Sequence, residues 1–219
     1  MNKKQAITLT ILLANLFIAF LGIGLVIPVL PTIMNELNIT GSVVGYMVAA
    51  FAITQLIVSP IAGKLVDRIG RKIMIVVGLF IFGLSELLFG MGRSIEILFL
   101  SRMLGGVSAA FIMPAVTAFI ADITTMAQRP KALGYMSAAI STGFIIGPGL
   151  GGFLAEYGTR LPFFAAGVLG FVAALLSLTF LKEPTRATDD TEAASSIFSS
   201  AKRIFSPLYF IAFVLIFVL

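Results

Sequence analysis

Long apolar runs separated by short polar segments form the main pattern of this chain. Six of the runs hold between 20 and 26 residues each and carry few or no charges. About 20 apolar residues in a helix cross the roughly 30 Å of hydrocarbon in a bilayer. Backbone polar groups in lipid must be paired internally, so each run is predicted to be a helix. The predicted spans are Ala6–Pro31, Val43–Gly63, Ile73–Gly92, Ile97–Ala121, Ala132–Ala155 and Leu161–Leu181.

The apolar pattern breaks after the sixth run and resumes near the end of the chain. Residues 182–206 are rich in charged residues, Ser and Ala, which is typical of a polar linker. The last 13 residues, 207–219, are apolar again, but as a helix they would rise only about 20 Å, too little to span. We therefore expect a six-helix transmembrane bundle over 1–181, a cytoplasmic linker over 182–206, and the start of a seventh helix over 207–219 that continues beyond Leu219.

Composition supports a membrane protein and excludes several kinds of chemistry. Hydrophobic residues make up 59% of the 219 residues and charged residues 11%, and the mean hydropathy is +1.09; a soluble domain carries about 25% charged residues. The chain has no Cys and no His, which excludes disulfides, Cys-based metal sites and a histidine base within it. It has no phosphate-binding Gly-x-x-x-x-Gly-Lys-Ser/Thr loop. No metal or cofactor is expected.

The distribution of Lys and Arg predicts the orientation. If the amino terminus is cytoplasmic, twelve of the 15 basic residues lie on the cytoplasmic side, Arg93 and Arg160 lie outside, and Arg102 lies within the membrane. An excess of basic residues on the cytoplasmic side is the usual rule. We therefore expect a multi-pass protein of the cell membrane with its amino terminus inside. The net charge of +5 then reflects orientation and contact with the bilayer, and nucleic-acid binding is not indicated.

A charged segment joins the second and third runs. Residues 63–72 read Gly-Lys-Leu-Val-Asp-Arg-Ile-Gly-Arg-Lys. Glycine at Gly63 and Gly70 permits a tight turn and a close approach of backbones, and Asp67 can accept from Arg71 one turn later or cap an adjacent helix. The segment resembles the signature loop of major facilitator superfamily transporters, Gly-x-Leu-x-Asp-Arg-x-Gly-Arg-Lys, at every fixed position. A basic loop that only sets orientation is the alternative interpretation.

The resemblance implies a role for this segment. In the family, the loop aspartate, its arginine and an acid at the end of the fourth span form a cytoplasmic latch, a set of ion pairs that holds one access state and breaks in the other. The corresponding residues here are Gly63, Asp67, Arg68, Gly70, Arg71, Lys72, Asp122 and Arg129.

The fourth span contains an isolated charge, Arg102. A charge at mid-membrane costs about 2.5–3.5 kcal/mol on insertion scales, so it must face protein or water and find a partner. Arg102 and Gly106 resemble a fourth-helix motif of the family that is linked to proton translocation, although Gly105 and Ser108 depart from it. The alternative is an arginine that reaches from the helix to the outer headgroups.

The fifth span contains small residues at regular spacing and an internal proline. Small residues four apart allow close helix packing, and proline bends a helix. Any membrane protein can use this spacing for packing alone. With Gly-Pro and Gly-Gly at these offsets, however, the span resembles the motif of drug:proton antiporters. Over residues 7 to about 186 the chain resembles the NorA and Bmr group of multidrug exporters. The motif residues are Gly143, Gly147, Pro148, Gly151 and Gly152.

A substrate cavity is expected between the first, second, fourth and fifth spans. Aromatic and methionine side chains accept varied lipophilic molecules because they can repack, although lipid-facing or packing roles are equally compatible with the apolar members. The candidates are Phe20, Ile23, Ile27, Gln55, Met113, Ile140 and Phe144. Glu86 is the only carboxylate inside the six spans. The resemblance implies that its span is peripheral. Glu86 could be a proton site, lie at the level of the headgroups or have a packing role.

Related spacing in the two halves of the bundle indicates a repeat. The Pro-x-x-Gly of Pro60 recurs at Pro148, and the third and sixth spans open at Ile73 and Leu161; both pairs are 88 residues apart. The family fold, which is all-α, contains such an inverted repeat of three plus three helices.

The resemblance implies proton-coupled efflux of lipophilic or cationic compounds, such as quinolones and dyes, by alternating access. The partners would be drugs, protons, the lipid bilayer and a missing carboxyl-terminal six-helix half of the same chain. Two alternatives remain open: a metabolite or sugar facilitator or importer of the same fold, and an intramembrane enzyme. For the enzyme, Gly106-x-Ser108 is weakly similar to a membrane serine protease motif, but this chain supplies no His as a base.

Overall fold

A computed structural model describes residues 2–184 of the protein. The described part contains seven α-helices and no β-strand. The part of the predicted linker after residue 184 and the predicted seventh span at 207–219 lie outside the described residues. The helices are α1 Lys3–Val26, α2 Leu30–Leu37, α3 Gly41–Ile69, α4 Arg71–Met91, α5 Ile95–Ile123, α6 Arg129–Tyr157 and α7 Leu161–Phe180.

The six long helices confirm the six predicted spans. Each of α1, α3, α4, α5, α6 and α7 is long and apolar enough to cross a membrane. The second span extends further than predicted, because α3 continues to Ile69. Most of the charged segment 63–72 is therefore the last two turns of a helix, and the chain reverses at Gly70 alone before α4 begins.

The first predicted span was too long. It was expected to run to Pro31, but α1 ends at Val26 and the short helix α2 begins at Leu30. Two prolines explain the break, because proline has no backbone N–H to donate and clashes with the preceding turn. Pro28 lies in the turn between the helices, and Pro31 occupies the first turn of α2, where its missing N–H costs nothing.

The helices form two related triplets, which confirms the predicted three-plus-three repeat. Helix α6 begins and ends 88 residues after α3, and both contain 29 residues. The largest helix contacts are those of α1 with α6, α3 with α5, α4 with α5 and α4 with α7. If α1, α3 and α4 are exchanged for α5, α6 and α7 respectively, the pair of α1 with α6 becomes the pair of α5 with α3. The pair of α4 with α7 becomes itself. Such exchange symmetry is expected of a repeat about a two-fold axis.

Helix α1 packs against both α6 and α7. Its Asn15 amide donates a hydrogen bond of 2.7 Å to the Ser177 hydroxyl of α7, and both residues are buried. Polar bonds of this kind between membrane helices contribute about 0.6 kcal/mol on average. The apolar core around this bond includes Leu12 and Leu16 of α1 and Phe119 of α5, none of which is exposed.

The packing of α1 on α6 depends on glycine. A Cβ placed on Gly147 would lie 2.7 Å from the Gly24 Cα and 2.8 Å from the Leu21 carbonyl oxygen, and one on Gly143 would lie 2.8 Å from the Phe17 carbonyl oxygen. Gly151 lies against the Leu25 backbone in the same way. These three motif glycines therefore face α1. Gly152 differs from them, because a Cβ there would meet nothing within 4 Å.

We predict that Gly147→Ala lowers the thermal stability of the purified protein in detergent. The added methyl meets backbone on α1, which cannot move aside as a flexible side chain would, and such overpacking costs about 1–3 kcal/mol. Gly134→Ala, on the same helix but with nothing within 4 Å of the new methyl, is the matched control and should melt at or slightly above the temperature of the unmodified protein, because Ala favours a helix over Gly. Equal melting temperatures for the two variants would contradict the assigned contact.

Candidate functional site

A cavity of about 200 Å³ opens between five of the long helices. Its wall is mainly aromatic and aliphatic, with a few polar groups concentrated at α3, α4 and α5. The lining residues are Ala19, Phe20 and Ile23 of α1; Phe51 and Gln55 of α3; Phe82 and Glu86 of α4; Arg102, Gly105, Ser108, Ala109, Ile112 and Met113 of α5; and Phe144 of α6.

Most of the residues predicted to face a cavity line this one. Phe20 and Phe144 meet edge to face, with ring centroids 5.1 Å apart, and so join α1 to α6 across the wall. Two predicted members are placed elsewhere. Ile27 follows the last residue of α1 and is 53% exposed, and Ile140 packs against the buried core; neither is among the lining residues.

Arg102 forms an ion pair with Glu86 inside the bundle. The Arg102 Nη2 donates to the Glu86 Oε1 at 3.3 Å, and the side chains are only 13% and 3% exposed. The guanidinium carbon also lies 4.3 Å from the centre of the Phe89 ring, within cation–π distance. Arg102 thus finds its partners in the protein and does not extend to the headgroups. The expectation that the third span is peripheral was wrong for Glu86, which lines the cavity.

The polar groups around this pair are incompletely bonded. Within residues 2–184, the Glu86 Oε2, the Arg102 Nε and the hydroxyls of Ser85 and Ser101 are buried and have no hydrogen-bond partner. Most buried polar atoms in proteins are bonded, and these four lie on α4 and α5, the two helices that carry the ion pair.

Gly106 brings α3 against α5 beside Arg102. A Cβ on Gly106 would collide with the Phe51 carbonyl oxygen and would lie 3.1 Å from the Gln55 backbone nitrogen. Phe51 and Gln55 line the cavity from α3, so Gly106 determines how closely this part of α3 approaches Arg102. The motif residues Arg102 and Gly106 therefore combine a charged side chain with a glycine contact that positions the residues around that charge.

A second ion-pair cluster lies where α3 turns into α4. The Arg71 Nε is 2.9 Å from the Asp122 Oδ2 at the end of α5, and its Nη2 is 3.7 Å from the Asp67 Oδ1 one turn back. The Asp122 side chain is 3% exposed, whereas that of Asp67 is 73% exposed. The buried pair is the tighter of the two, and an exposed pair alone contributes at most about 1 kcal/mol. Arg129 binds the same helix end, donating to the Ala121 carbonyl oxygen at 3.1 Å.

The other residues of this segment have distinct positions. Arg68 is exposed on the last turn of α3. Gly63, predicted to allow a close backbone approach, lies within α3, and a Cβ there would meet nothing within 4 Å. Gly70 has the positive φ of 116° that favours glycine, and it joins the two helices.

Glu183 binds the start of α4, which sequence reasoning missed. Its Oε1 accepts from the Arg71 backbone N–H at 2.6 Å and its Oε2 from the Lys72 backbone N–H at 2.9 Å. The residue that precedes α4 is Gly70, which has no side chain to cap the helix, so a carboxylate from the segment after α7, a helix that packs against α4, satisfies these amides. In the sequence Glu183 is simply an acid at the start of a polar segment, and no local signal connects it with a position 112 residues away.

Arg160 binds the carboxyl-terminal end of α4 as a hydrogen-bond donor. Its Nη1 donates to the Gly90 carbonyl oxygen at 3.0 Å and also to that of Gly92, while its Nη2 donates to the Glu36 Oε2 of α2 at 3.3 Å. One side chain at the start of α7 therefore connects α4 with the short helix α2.

Comparison with known proteins gives a consistent assignment. A family model described as Major Facilitator Superfamily matches residues 12–219. The chain is 69% identical over 214 residues to Multidrug resistance protein 1 of Bacillus subtilis (strain 168), a match that covers 98% of this chain and 55% of that protein. It is 55% identical over 223 residues to Multidrug resistance protein 2 of the same organism, covering 100% of this chain and 56% of the relative.

A further relative has a name that states a drug class. The Quinolone resistance protein NorA of Staphylococcus aureus (strain Mu50 / ATCC 700699) is 48% identical over 188 residues, covering 86% of this chain and 47% of that protein. The chain thus spans about half the length of the relatives that it matches.

Solved structures of transporters share the fold. A bacterial homologue of the human lysosomal transporter Spinster, in an inward-facing and unoccupied conformation, superposes with a TM-score of 0.76 at 20% identity over 85% of this chain and 45% of that one. The human organic anion transporter MFSD10 superposes with a TM-score of 0.71 at 23% identity over 84% of this chain and 49% of that one.

We predict that Glu183→Ala speeds hydrogen exchange at the first amides of α4, those of Arg71 and Lys72. Loss of a capping side chain costs about 0.5–2 kcal/mol, and this cost should appear first as local opening of the helix end. Hydrogen–deuterium exchange followed by mass spectrometry of peptides from 70–80 measures it. Glu156→Ala, an exposed acid near the end of α6, is the control. Unchanged exchange in the Glu183 variant would refute the capping role.

Proposed function

Because the chain belongs to the Major Facilitator Superfamily, we propose that it forms the amino-terminal half of a proton-coupled multidrug exporter. The observation that carries the proposal is the aromatic cavity with a buried ion pair at one end, in a chain so similar to proteins named for multidrug resistance. The proposal makes the protein a transporter of small molecules and assigns it no catalytic residue.

The cavity wall favours lipophilic and cationic substrates. Phe20, Phe51, Phe82 and Phe144 offer ring faces and edges, and Met113 offers a polarisable thioether. Aromatic faces attract cations as well as flat apolar molecules, and methionine adapts to different shapes. Quinolones and cationic dyes combine these properties, and a named relative confers quinolone resistance. We therefore propose that the predicted residues that line the cavity contact the drug.

A second six-helix half is proposed as the partner of this one. In the apolar windows of α3 and α6 only 6% and 17% of the residues are buried, against 44–56% in the other four long helices. The large apolar side chains left exposed on these two helices include Leu56, Ile57, Ile145 and Phe153. A second half packed against α3 and α6 would cover them. It would also enlarge the cavity, whose 200 Å³ is below the roughly 300–1,000 Å³ of drug-sized sites.

Alternating access gives the two ion-pair clusters separate roles. The cluster of Asp67, Arg71 and Asp122 is proposed to be the cytoplasmic latch, with Arg129 binding the end of α5 beside it. Arg102 is proposed to respond to protons entering through the cavity. The glycines that face α1, together with Pro148 inside α6, would let α6 shift against α1 as the opening changes sides.

The orientation proposed for the protein follows its charges. The end of α3, together with the starts of α1, α4 and α6, carries most of the basic residues of the described part. The usual bias of Lys and Arg then places this end, and the amino terminus, in the cytoplasm, with the protein in the cell membrane.

The direct test is dye efflux by the full-length protein reconstituted in vesicles. An inward proton gradient should drive dye out against its concentration, and collapse of the gradient with an ionophore should stop it. Residues 1–219 expressed alone should move no dye, because half of the cavity wall is absent. Sugar uptake that is indifferent to pH would contradict export and favour a facilitator.

A second prediction concerns the latch. In the full-length protein, Asp67→Asn should lower dye efflux by up to about fivefold at an unchanged level of protein in the membrane, because an exposed ion pair such as Asp67–Arg71 contributes at most about 1 kcal/mol to the access state that it favours. Glu156→Gln, which removes an exposed carboxylate from α6, is the control for a change of charge alone. Full efflux by the Asp67 variant would remove the proposed role of the latch.

A further inference from the structure

The short helix α2 has one apolar face, which packs on the outer ends of the long helices. The apolar face consists of Leu30, Ile33, Met34 and Leu37. These side chains belong to a cluster that includes Phe89 of α4 and Phe163 of α7, and Ile33 is 2% exposed. Building on the orientation and the alternating access proposed above, we propose that α2 is an outer lid, which Arg160 and Glu36 hold closed over the polar end of the cavity.

The cluster beneath α2 lies on the outer side of the buried ion pair. Phe89 is one turn beyond Glu86 toward the outer end of α4, and Leu98 is one turn before Arg102 on α5. The rings of Phe89 and Phe163 stack with their centroids 4.6 Å apart, and the same Phe89 ring contacts the Arg102 guanidinium. Helix α2 therefore covers, through Phe89, the end of the cavity that Arg102 lines.

Arg160 attaches this lid to the bundle. Its Nη2 donates to the Glu36 Oε2 at 3.3 Å, and its Nη1 donates to the carbonyl oxygens of Gly90 and Gly92 at the end of α4. The two carbonyl groups hold the guanidinium in place, so Glu36 is the partner that can leave with α2. The side chains of Arg160 and Glu36 are 25% and 40% exposed. A pair at such exposure changes an equilibrium by at most about fivefold, which suits a contact that opens in each transport cycle.

The backbone changes direction on both sides of α2. Pro28 lies in the turn between α1 and α2. At the other end Asn38 has a left-handed conformation with a φ of 51° and separates α2 from α3. Hinges in proteins are typically a few residues at the ends of such elements. Helix α2 can therefore move as a unit while the long helices on either side stay in place.

The internal repeat relates this contact to the cytoplasmic latch. Helix α2 ends 86 residues before α5 does, and Glu36 lies 86 residues before Asp122. The partner of Asp122 is Arg71 at the start of α4, and the partner of Glu36 is Arg160 at the start of α7, where α4 and α7 are equivalent in the repeat. An inverted repeat places equivalent features on opposite faces of the membrane. We therefore expect the two pairs to favour opposite access states.

The competing interpretation is that Arg160 and Glu36 only stabilise the fold. The two interpretations differ in how access to the cavity changes when the pair is lost. A lost stabilising contact loosens the protein without preference for one side of the membrane. A lost lid contact opens the outer side and, because the access states exclude each other, closes the cytoplasmic side.

The test measures access to the cavity from each side of the membrane. The full-length protein carries Ala109→Cys, in the cavity wall on α5, as its only cysteine. A small charged methanethiosulfonate that does not cross membranes is added to intact cells or to inside-out vesicles, and the rate of cysteine modification is measured. Glu36→Gln should raise the rate from outside by about two- to fivefold and lower the rate from the cytoplasmic side. Arg160→Gln, which also removes the bonds to α4, should change both rates further in the same directions.

Two further variants serve as controls. Glu96→Gln removes an exposed carboxylate from the start of α5 at the same end of the bundle and should leave both rates unchanged. Asp67→Asn weakens the cytoplasmic latch and should change the two rates in the opposite directions.

The outcomes separate the lid from the proposed function. Rates that stay the same in Glu36→Gln and Arg160→Gln, or that rise from both sides, would overturn the lid and leave drug export in place. Absence of dye efflux by the unmodified full-length protein would instead overturn the proposed function, and the rates of modification are measured independently of efflux.

Discussion

The hydrocarbon of a bilayer offers no hydrogen-bond partners, and the arrangement of this chain depends on that constraint. The spans are helical, because helices pair backbone groups internally, so the shape of the bundle depends on where helices end and on how they pack. The charged side chains inside the bundle are subject to the same constraint. Arg102 and Arg71 each sit against a buried carboxylate, Glu86 and Asp122 respectively. The polar chemistry of the protein is thereby concentrated in two places, one lining the cavity and one at the end of the bundle.

Glycine contacts determine how the walls of the cavity meet. On one side Gly143, Gly147 and Gly151 let α6 lie against the backbone of α1, and on the other Gly106 lets α5 lie against α3. These are the two helix pairs that the internal repeat makes equivalent. The cavity lies between them, so its width follows from backbone contacts, which deform less readily than side-chain contacts do.

Sequence reasoning reached the architecture of the described part because membrane helices are marked by length and hydropathy. It located the six spans and the repeat, and five of the seven residues that it predicted to face a cavity line the cavity. It failed where geometry depends on residues distant in sequence. Nothing near Glu183 indicates that it binds the start of α4, and nothing near Glu86 indicates that it meets Arg102 16 residues later. The break at Val26 was missed for another reason: Pro28 was treated as part of a single run, although proline readily ends a helix.

Helix α4 carries an anion at its amino end and a cation at its carboxyl end. Glu183 accepts from its first amides, and Arg160 donates to its last carbonyl groups. Both signs are those that the helix dipole favours, so the ends of this helix are stabilised against fraying. Under the proposed mechanism, we expect α4 to keep its position in the membrane. A ligand group in contact with Phe82 and Glu86 would then stay at the same depth in the bilayer. The cavity would meanwhile close on one side of the membrane and open on the other.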